Sequence, residues 1–368
     1  MRNQGVVKAT LPDAASLVGW MGCVQAQDFA QAKWGLGLRT GAPEARIEED
    51  FNAGRILRTH VLRPTWHFIL PQDIGWMLRL SAPRIKAFSK PMHRQLDIDT
   101  AVLRRSKKVI EKSLAGGKAL TRTELATIFK RARINTDDIR MNFLMMDAEL
   151  DGIICSGPRK GKQFTYVLLT EGVSQVLDLD GDAALGELAR RYFTSRGPAT
   201  LQDFAWWGGV NLGQAKRGFE VVKEMLECVV VNGQAYWFAR ALVDTAGLAL
   251  PGSGTLADTA SLALPRSGAL PPVILLPAFD ELTVAYKDRS DILPREYEKE
   301  SSYGLKPVVV VNGRIVGIWR RVLGKGKVIV EVRLFEKVSK TAERLIGREV
   351  KRYGKFVEEG VVEIRKLC

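Results

Sequence analysis

Hydrophobic and polar positions follow the same pattern twice in the middle of the chain. Residues 119–129 (ALTRTELATIF) and 198–208 (PATLQDFAWWG) align when Thr121 is placed over Thr200, and an acidic residue then falls three positions later in both. A threonine before a helix and an acidic residue in its first turn are typical of a helix N-terminus. Each segment is therefore predicted to begin a helix.

The surroundings of the two segments also match. Each is preceded by an amphipathic helix pattern and followed by a second helix pattern and a β-hairpin pattern. These patterns lie at residues 101–114, 138–150 and 152–169 in the first copy, and at 184–194, 212–226 and 228–238 in the second. The order of helix, helix–turn–helix and hairpin is that of a winged helix, so the sequence predicts two winged helices in tandem.

A third copy, less regular, is predicted at the N-terminus. Residues 13–21 and 42–53 suit helices, because proline and acidic residues stand at their starts. Residues 56–70 (ILRTHVLRPTWHFIL) alternate like a hairpin with its turn near Arg63 and Pro64.

The last third of the chain has a different character. Residues 241–272 are rich in Ala, Leu, Gly, Ser and Pro and predict a linker. Strand patterns follow at 273–279, 307–311, 315–320 and 328–335, and a helix pattern at 341–353. The predicted fold class is α+β, with tandem winged-helix motifs and a C-terminal, β-rich α+β unit. The predicted domains are winged helices at residues 1–95, 96–170 and 171–240, the linker at 241–272 and the C-terminal unit at 273–368.

Composition narrows the class of protein. Among 368 residues, 55 Lys and Arg against 41 Asp and Glu give a net charge of +14. No apolar run reaches the roughly 18 residues that cross a bilayer, and the N-terminal segment lacks a signal-peptide pattern, so we expect a cytoplasmic protein without a membrane partner. Scattered cysteines and only three histidines predict no disulfide framework, metal centre or cofactor. The positive charge predicts a polyanionic partner, most commonly nucleic acid.

Gln25 and Gln27 are the first candidates for chemistry. Side chains two positions apart project to the same side of an extended segment. Two carboxamides can accept from and donate to one water and fix its direction of attack. Because the bare pattern arises often by chance, the pair gains meaning only from its context.

His67 and Thr65 form a second candidate group, in the predicted N-terminal hairpin. An isolated histidine in an apolar strand is more often a core residue than a donor or general base, and both interpretations stay open. Asp280 and Glu281 suggest either an acid–base or metal pair, or a charged structural corner that pairs with Arg or Lys. The second alternative is favoured, because no histidine or third carboxylate lies at ligand spacing.

Several motifs, in this order along nearly the whole chain, resemble those of the AlkZ/YcaQ-like winged-helix DNA glycosylases. They are Gln25-Ala26-Gln27, RPTWHF, RGPAT with DFAWWGG, LLPAFDE with YKDRS, and VNGRIVGIWRR. The resemblance implies that the chain is a monofunctional DNA N-glycosylase that cleaves alkylated purines, including interstrand crosslinks in some members. It also implies that Gln25 and Gln27 carry the catalysis, and we predict His67 and Thr65 as supports.

The partner that the resemblance implies is double-stranded DNA with alkylated or crosslinked purines. Winged helices contact DNA through the third helix and the hairpin, and the family's C-terminal hairpin is expected to reach the minor groove. The predicted DNA-binding residues are Arg63, Arg159, Lys160, Lys162, Arg314, Lys325 and Lys327.

An alternative function is a winged-helix transcriptional regulator without chemistry. Such regulators usually dimerise on palindromic sites, whereas this chain has no heptad seam or evident dimerisation helix. We therefore favour the glycosylase and expect a nucleoid-associated monomer.

Overall fold

The repeated sequence pattern corresponds to a repeated order of elements. The structure is a computed structural model that describes residues 1, 3–6, 11–137, 139–173, 176–239, 272–302, 305–324, 327–358 and 361–366. Three times, the described chain forms a helix, two further helices and a β-hairpin, and in the first two units a short strand follows the first helix. In the first two units the short strand pairs with the last strand of the hairpin, which is central in a three-stranded sheet. In the third unit a single bridge between Ala199 and Trp237 replaces the short strand.

The first unit begins with capped helices and ends at a long helix. The carboxylate of Asp13 accepts a hydrogen bond from the backbone N–H of Ser16 and caps the first helix. Asp28 caps the second helix through the N–H groups of Ala30 and Gln31. The elements are α1 (Ala14–Met21), β1 (Cys23–Gln25), α2 (Phe29–Thr40), α3 (Glu44–Asn52), β2 (Leu57–His60), β3 (Trp66–Ile69) and α4 (Ile74–Gln95).

The second and third units share a capping box at the start of their second helix. Thr121 and Glu124 exchange hydrogen bonds between side chain and backbone, and Thr200 and Asp203 do the same. The second unit comprises α5 (Thr100–Leu114), β4 (Leu120–Thr121), α6 (Arg122–Arg131), α7 (Arg140–Leu150), β5 (Ile154–Lys160), β6 (Gln163–Leu168) and α8 (Leu169–Gly172). The third unit comprises α9 (Gly181–Arg196), α10 (Leu201–Gly208), α11 (Leu212–Val222), β7 (Leu226–Val231) and β8 (Gln234–Ala239).

The C-terminal part is built on a five-stranded sheet in the order β13-β12-β11-β10-β9. Its strands are antiparallel except for β12 and β13, which run parallel. The elements are β9 (Val273–Leu276), α12 (Glu281–Val284), α13 (Glu298–Ser301), β10 (Val308–Val311), β11 (Arg314–Gly324), β12 (Lys327–Leu334), α14 (Lys340–Phe356) and β13 (Val361–Lys366).

Helix α2 joins the first unit to the C-terminal sheet. Ten of its twelve residues are buried. The indole of Trp34 packs edge-on against Tyr353, with 5.1 Å between ring centroids, and donates from Nε1 to the backbone oxygen of Leu275. Gly37 lies so close to Phe356 that a Cβ atom would overlap its ring. One hydrophobic core therefore spans the first unit and the sheet.

The predicted α+β class is confirmed, and all three predicted hairpins are present as β2–β3, β5–β6 and β7–β8. The sequence pattern does not predict α2, α4 or β13. Helix α2 has no polar face to give an amphipathic stripe, and prolines at positions 83 and 91 interrupt α4. The predicted linker at 241–272 lies outside the described residues except for Pro272.

Candidate functional site

Gln25, His67 and Thr59 lie side by side across the sheet of the first unit. Gln25 ends β1 and pairs with His67 in the central strand β3, and His67 pairs with Thr59 in β2. Directly opposed residues of antiparallel strands point to the same face of a sheet. All three side chains are buried. This face therefore holds one carboxamide, one imidazole and one hydroxyl in contact range.

The carboxamides of Gln25 and Gln27 are directed at one turn. Oε1 of Gln25 accepts a hydrogen bond from Nη2 of Arg63, and Oε1 of Gln27 accepts one from the backbone N–H of Trp66, both at 3.3 Å. Gln25 is buried and Gln27 is exposed, so the pair extends from the sheet face to solvent. Within the described part of the chain, neither carboxamide nitrogen has a partner. Each amide thus keeps its N–H donors and one oxygen lone pair for a water.

The backbone between the glutamines is held on both sides. The N–H of Gln25 donates to Oε1 of Glu281 at 2.8 Å, and the N–H of Ala26 donates to the carbonyl oxygen of Trp66 at 2.7 Å. Arg58 donates from Nε to the carbonyl oxygen of Ala26 at 3.0 Å and from Nη2 to that of Gln27 at 3.4 Å. The segment is therefore fixed although it belongs to neither a helix nor a strand beyond Gln25.

The position of Arg58 is set by aromatic rings from two units. Its guanidinium lies 4.3 Å from the ring centroid of Trp66 and 4.8 Å from that of Phe164 in β6. Burial lowers the pKa of Arg58 to about 10, so it remains charged at neutral pH. A buried guanidinium stacked in this way loses little freedom when it binds carbonyl groups.

His67 is a neutral hydrogen-bond acceptor. Its Nδ1 lies 3.0 Å from the carbonyl oxygen of Thr65. Because a carbonyl oxygen can only accept, Nδ1 carries the proton and Nε2 presents a lone pair. Burial, together with the positive charge of Arg63, lowers the pKa of His67 to about 3. The imidazole is therefore uncharged at ordinary pH and is neither a general acid nor a strong base.

Four buried polar atoms of the β2–β3 hairpin have no hydrogen-bond partner among the described residues. They are Oγ1 of Thr59, Nε of Arg63, Oγ1 of Thr65 and Nε2 of His67. Buried polar atoms in native proteins nearly always have a partner, which is a water where the protein offers none. The hairpin is thus suited to bind a water or a polar group of a substrate.

Glu281 is a site residue whose role the sequence analysis missed. Its carboxylate is buried and accepts from Arg196 through Nε at 3.0 Å and Nη2 at 2.6 Å, and from Nε1 of Trp207 at 3.1 Å. Burial alone would raise the pKa of Glu281, but Arg196 and the N–H of Gln25 lower it below its usual value. The favoured interpretation, a carboxylate paired with an arginine, is right for Glu281, yet no sequence signal links it to Gln25.

The neighbouring carboxylates are also engaged. Asp280 forms a buried two-bond pair with Arg39, at 2.8 and 2.9 Å. Oδ1 of Asp28 accepts the two N–H groups that it caps in α2. Asp28 and Glu281, the carboxylates next to the glutamine pair in sequence and space, are therefore both committed to structural hydrogen bonds.

The predicted DNA-binding residues occupy different environments. Arg63 lies at the glutamine pair itself. Arg159 is 16% exposed and pairs with Glu48 of α3 at 2.8 Å, with its guanidinium over the rings of Phe29 and Phe164. Two neighbours on the same hairpin are more open. Lys160 is half-exposed beside Glu124, and Lys162 is exposed.

Two of the three remaining basic candidates, Arg314 and Lys327, lie on the C-terminal sheet. Arg314 begins β11 and is exposed. Lys327 begins β12 and pairs with Glu363 at 2.9 Å. Lys325 lies outside the described residues. The structure therefore places these cations on the first two units and on the C-terminal sheet.

The described residues lack two further kinds of feature. They contain no group of three or more His, Cys, Asp or Glu side chains arranged to hold a metal ion. None of the described helices is long and apolar enough to cross a membrane.

Comparison with known proteins places these observations in a family. Residues 18–356 match the family described as DNA glycosylase AlkZ-like. The chain is 25% identical over 337 residues to an interstrand DNA cross-link repair glycosylase of Streptomyces sahachiroi, covering 87% of this chain and 85% of that protein. The solved structure of the Streptomyces sahachiroi DNA glycosylase AlkZ superposes with a TM-score of 0.75 at 21% identity, over 100% of this chain and 97% of that one.

Proposed function

The chain belongs to the family of AlkZ-like DNA glycosylases, and on this premise we propose that it hydrolyses the N-glycosidic bond of cationic alkylated purines in duplex DNA. The substrates are N7-alkylguanine and N3-alkyladenine. The family match gives no support to the alternative function, a winged-helix transcriptional regulator without chemistry. The chemistry follows from the glutamine pair and its surroundings.

One observation carries the choice of substrate. The carboxamides of Gln25 and Gln27 converge on one turn, while the carboxylates of Asp28 and Glu281 beside them are engaged in hydrogen bonds. A site whose nearest carboxylates already accept hydrogen bonds suits a leaving group that needs little help. A purine alkylated at N7 or N3 is already cationic, so it departs as a neutral base without protonation.

The proposed reaction needs one water. Gln25 and Gln27 hold it against C1′, the C1′–N bond breaks with its electron pair moving to the cationic base, and the water oxygen bonds to C1′ and releases a proton to solvent. Neutral amides stabilise the oxocarbenium-like sugar less than a carboxylate would. Positioning therefore supplies most of the acceleration, and neutral lesions are expected to react poorly.

His67 and Thr65 act as supports in this proposal. The lone pair on Nε2 of His67 and the hydroxyl of Thr65 are available to a second water or to a polar group of the substrate. The low pKa of His67 keeps this acceptor unprotonated throughout the working pH range.

The DNA-binding part of the proposal treats the three repeated units as winged helices. Basic side chains neutralise backbone phosphates, which makes binding sensitive to salt. We assign this role to Arg63, Lys160, Lys162, Arg314, Lys325 and Lys327, and with a smaller share to Arg159, which already pairs with Glu48. The enzyme would act as a nucleoid-associated, cytoplasmic monomer.

Crosslinked purines are a proposed second substrate. The similar Streptomyces protein is named an interstrand DNA cross-link repair glycosylase. An N7-linked crosslink carries the same cationic leaving group, so the same water could release one strand.

The test is single-turnover release of 7-methylguanine from a methylated duplex, at saturating enzyme. We expect release by the wild type, and a fall of about 100-fold in Gln25→Ala and Gln27→Ala because the water loses its orientation. Gln95→Ala, at the exposed end of α4, is the matched control and should react like the wild type. A duplex with an N7-linked crosslink tests the second substrate.

Two results would contradict the proposal. Tight, salt-sensitive duplex binding without release would argue against N7-methylguanine as a substrate. Loss of duplex affinity in proportion to loss of rate would make Gln27 a contact residue rather than a residue that positions water.

A further inference from the structure

We propose that Glu281 is a positioning residue for the reaction, which holds the backbone of Gln25 from outside the first unit. The inference rests on the proposed function for its rate measurements and on the structure for its geometry. Glu281 touches no reacting atom in this scheme. It acts through the N–H of Gln25, which donates to Oε1 of Glu281 at 2.8 Å.

The need for such a partner follows from the position of β1 in its sheet. In the order β1-β3-β2, strand β1 is an edge strand, so one of its sides has no neighbouring strand. A buried backbone N–H without a partner is costly. At Gln25 this N–H is buried, and the carboxylate of Glu281 takes the place of a neighbouring strand.

The two oxygens of Glu281 have separate tasks. Oε1 accepts from Gln25, whereas Oε2 accepts from Arg196 and from the indole N–H of Trp207. Arg196 also donates to the carbonyl oxygen of Met21 at 2.7 Å and to that of Cys23 at 3.0 Å. The Glu281–Arg196 pair therefore binds both donor and acceptor groups of the chain leading to Gln25.

The two residues of the Glu281–Arg196 pair lie in two parts of the molecule outside the first unit. Arg196 ends α9 and Trp207 lies in α10, both in the third unit, and Glu281 begins α12 after β9. Arg196 and Trp207 are fully buried, and the guanidinium lies 4.2 Å from the indole centroid. The first catalytic glutamine is thus aligned only when three parts of the chain are packed together.

Asp280 offers a matched control one residue away. Asp280 and Glu281 are both buried, each pairs with a buried arginine, and each accepts one backbone N–H. The N–H bound by Asp280 belongs to Leu282, in its own helix, whereas that bound by Glu281 belongs to Gln25. Loss of either carboxylate therefore removes a similar ion pair, but only loss of Glu281 frees the catalytic segment.

The experiment compares Glu281→Gln with Asp280→Asn at a temperature where both are folded. Single-turnover release of 7-methylguanine at saturating enzyme and duplex affinity are measured for each, together with the unfolding midpoint. We expect similar falls in the midpoint. The rate should fall at least tenfold in Glu281→Gln and less than threefold in Asp280→Asn, with duplex affinity unchanged within threefold in both. Equal rate losses, or no loss in Glu281→Gln, would overturn the proposal.

Glu281→Asp keeps the experiment decisive if Glu281→Gln does not fold. It retains the charge for Arg196 but draws the carboxylate back by one methylene from Gln25. We expect a stable protein whose rate lies between those of the wild type and Glu281→Gln. A rate equal to that of the wild type would count against the positioning role.

Amide hydrogen exchange separates this inference from the proposed function. Exchange at Gln25 should be at least tenfold faster in Glu281→Gln, or in Glu281→Asp, than in Asp280→Asn. If the wild type releases no base but this difference is present, the proposed function fails and the positioning by Glu281 stands. If exchange at Gln25 is the same in all variants, the positioning fails whatever the activity.

Discussion

The first and second units share the order of their elements but differ at the end of their short strand. In the second unit Thr121 is both the last residue of β4 and the N-cap of α6. In the first unit β1 ends at Gln25 and the cap of α2 is Asp28, so Ala26 and Gln27 intervene. Gln27, the second of the two glutamines proposed to be catalytic, lies in this extra segment.

The two units also satisfy their polar groups differently. The N–H of Thr121 is bound by Glu124, three residues later, whereas the N–H of Gln25 is bound by Glu281, 256 residues later. The hydroxyl of Thr165, in the central strand β6, donates to the carbonyl oxygen of Pro158 at 2.6 Å. The corresponding residue of β3 is His67, whose Nε2 has no partner within the described part of the chain.

The difference shows that the same order of elements can bind its polar groups locally or leave some of them without a protein partner among the described residues. At the end of β4 and at Thr165 in β6, the second unit meets its hydrogen-bonding needs with neighbours in sequence. The first unit leaves amide, imidazole and hydroxyl groups available and holds its backbone with residues from elsewhere. Buried polar groups that lack a protein partner tend to occur at functional sites.

Among the variants that test the contrast between the two units, Arg58→Met has the largest expected effect. The substitution removes both donors from the carbonyls of Ala26 and Gln27 and leaves them without a partner. We expect the single-turnover rate to fall about tenfold or more, and the free energy of unfolding to fall by about 1–3 kcal/mol. Rate and urea unfolding measure the two effects.

Arg352→Met is the control for Arg58. Arg352 also lies over an indole, that of Trp34, and donates to a backbone carbonyl, that of Leu38, but it does not touch the glutamine segment. We expect it to leave the single-turnover rate unchanged. If both variants lose rate equally, the dependence on Arg58 is general destabilisation and the contrast between the units weakens.

The next effect concerns the pH dependence of stability. The pKa of His67 is about 3 in the folded chain and near 6.5 when unfolded, so the unfolded state binds the extra proton in between. The contribution of His67 to the free energy of unfolding is therefore fully present above pH 6.5. It is lost as the pH falls from there towards 3, by about 1.4 kcal/mol per pH unit. After burial, the positive charge of Arg63 is the next largest cause of this low pKa, and that of Arg196 adds to it.

Urea unfolding of the wild type and His67→Gln between pH 7.5 and pH 5 checks this expectation. Both proteins share every other titrating group. A difference between the slopes of their curves of unfolding free energy against pH is therefore due to His67. We expect the wild type to lose stability more steeply below pH 6.5 than the variant does. Parallel curves would show that His67 binds its proton over the same pH range in the folded and unfolded states.

The smallest effect belongs to the capping boxes of the second and third units. Thr121→Ala and Thr200→Ala each remove a cap, and we expect a loss of about 1 kcal/mol in stability with no change in single-turnover rate. Thr127→Ala, at an exposed position inside α6, should cost less than either. A tenfold fall in rate in a cap variant would show that these units are coupled to the glutamine segment after all.

The repeated elements were accessible to sequence reasoning, because their signals are local. Thr121, Glu124, Thr200 and Asp203 predict helix starts within four residues, and the capping boxes are present. Helix α2 escaped prediction, because it is buried on nearly every side between the first unit and the C-terminal sheet. Its sequence therefore lacks the polar stripe by which surface helices are identified.

For the candidate site, the sequence by itself determined which side chains are present and that Gln25, Gln27, Thr65 and His67 occur in two short segments. Hairpin alternation also predicts that Thr65 and His67 both follow a turn near Arg63 and Pro64. Only the tertiary structure decided three further features. These are the low pKa of His67, the hydrogen bond from Arg58 to the carbonyl oxygen of Ala26, and the hydrogen bond from the N–H of Gln25 to Glu281. The physical reason is that burial and contacts between residues hundreds of positions apart leave no periodic or local signal in a single chain.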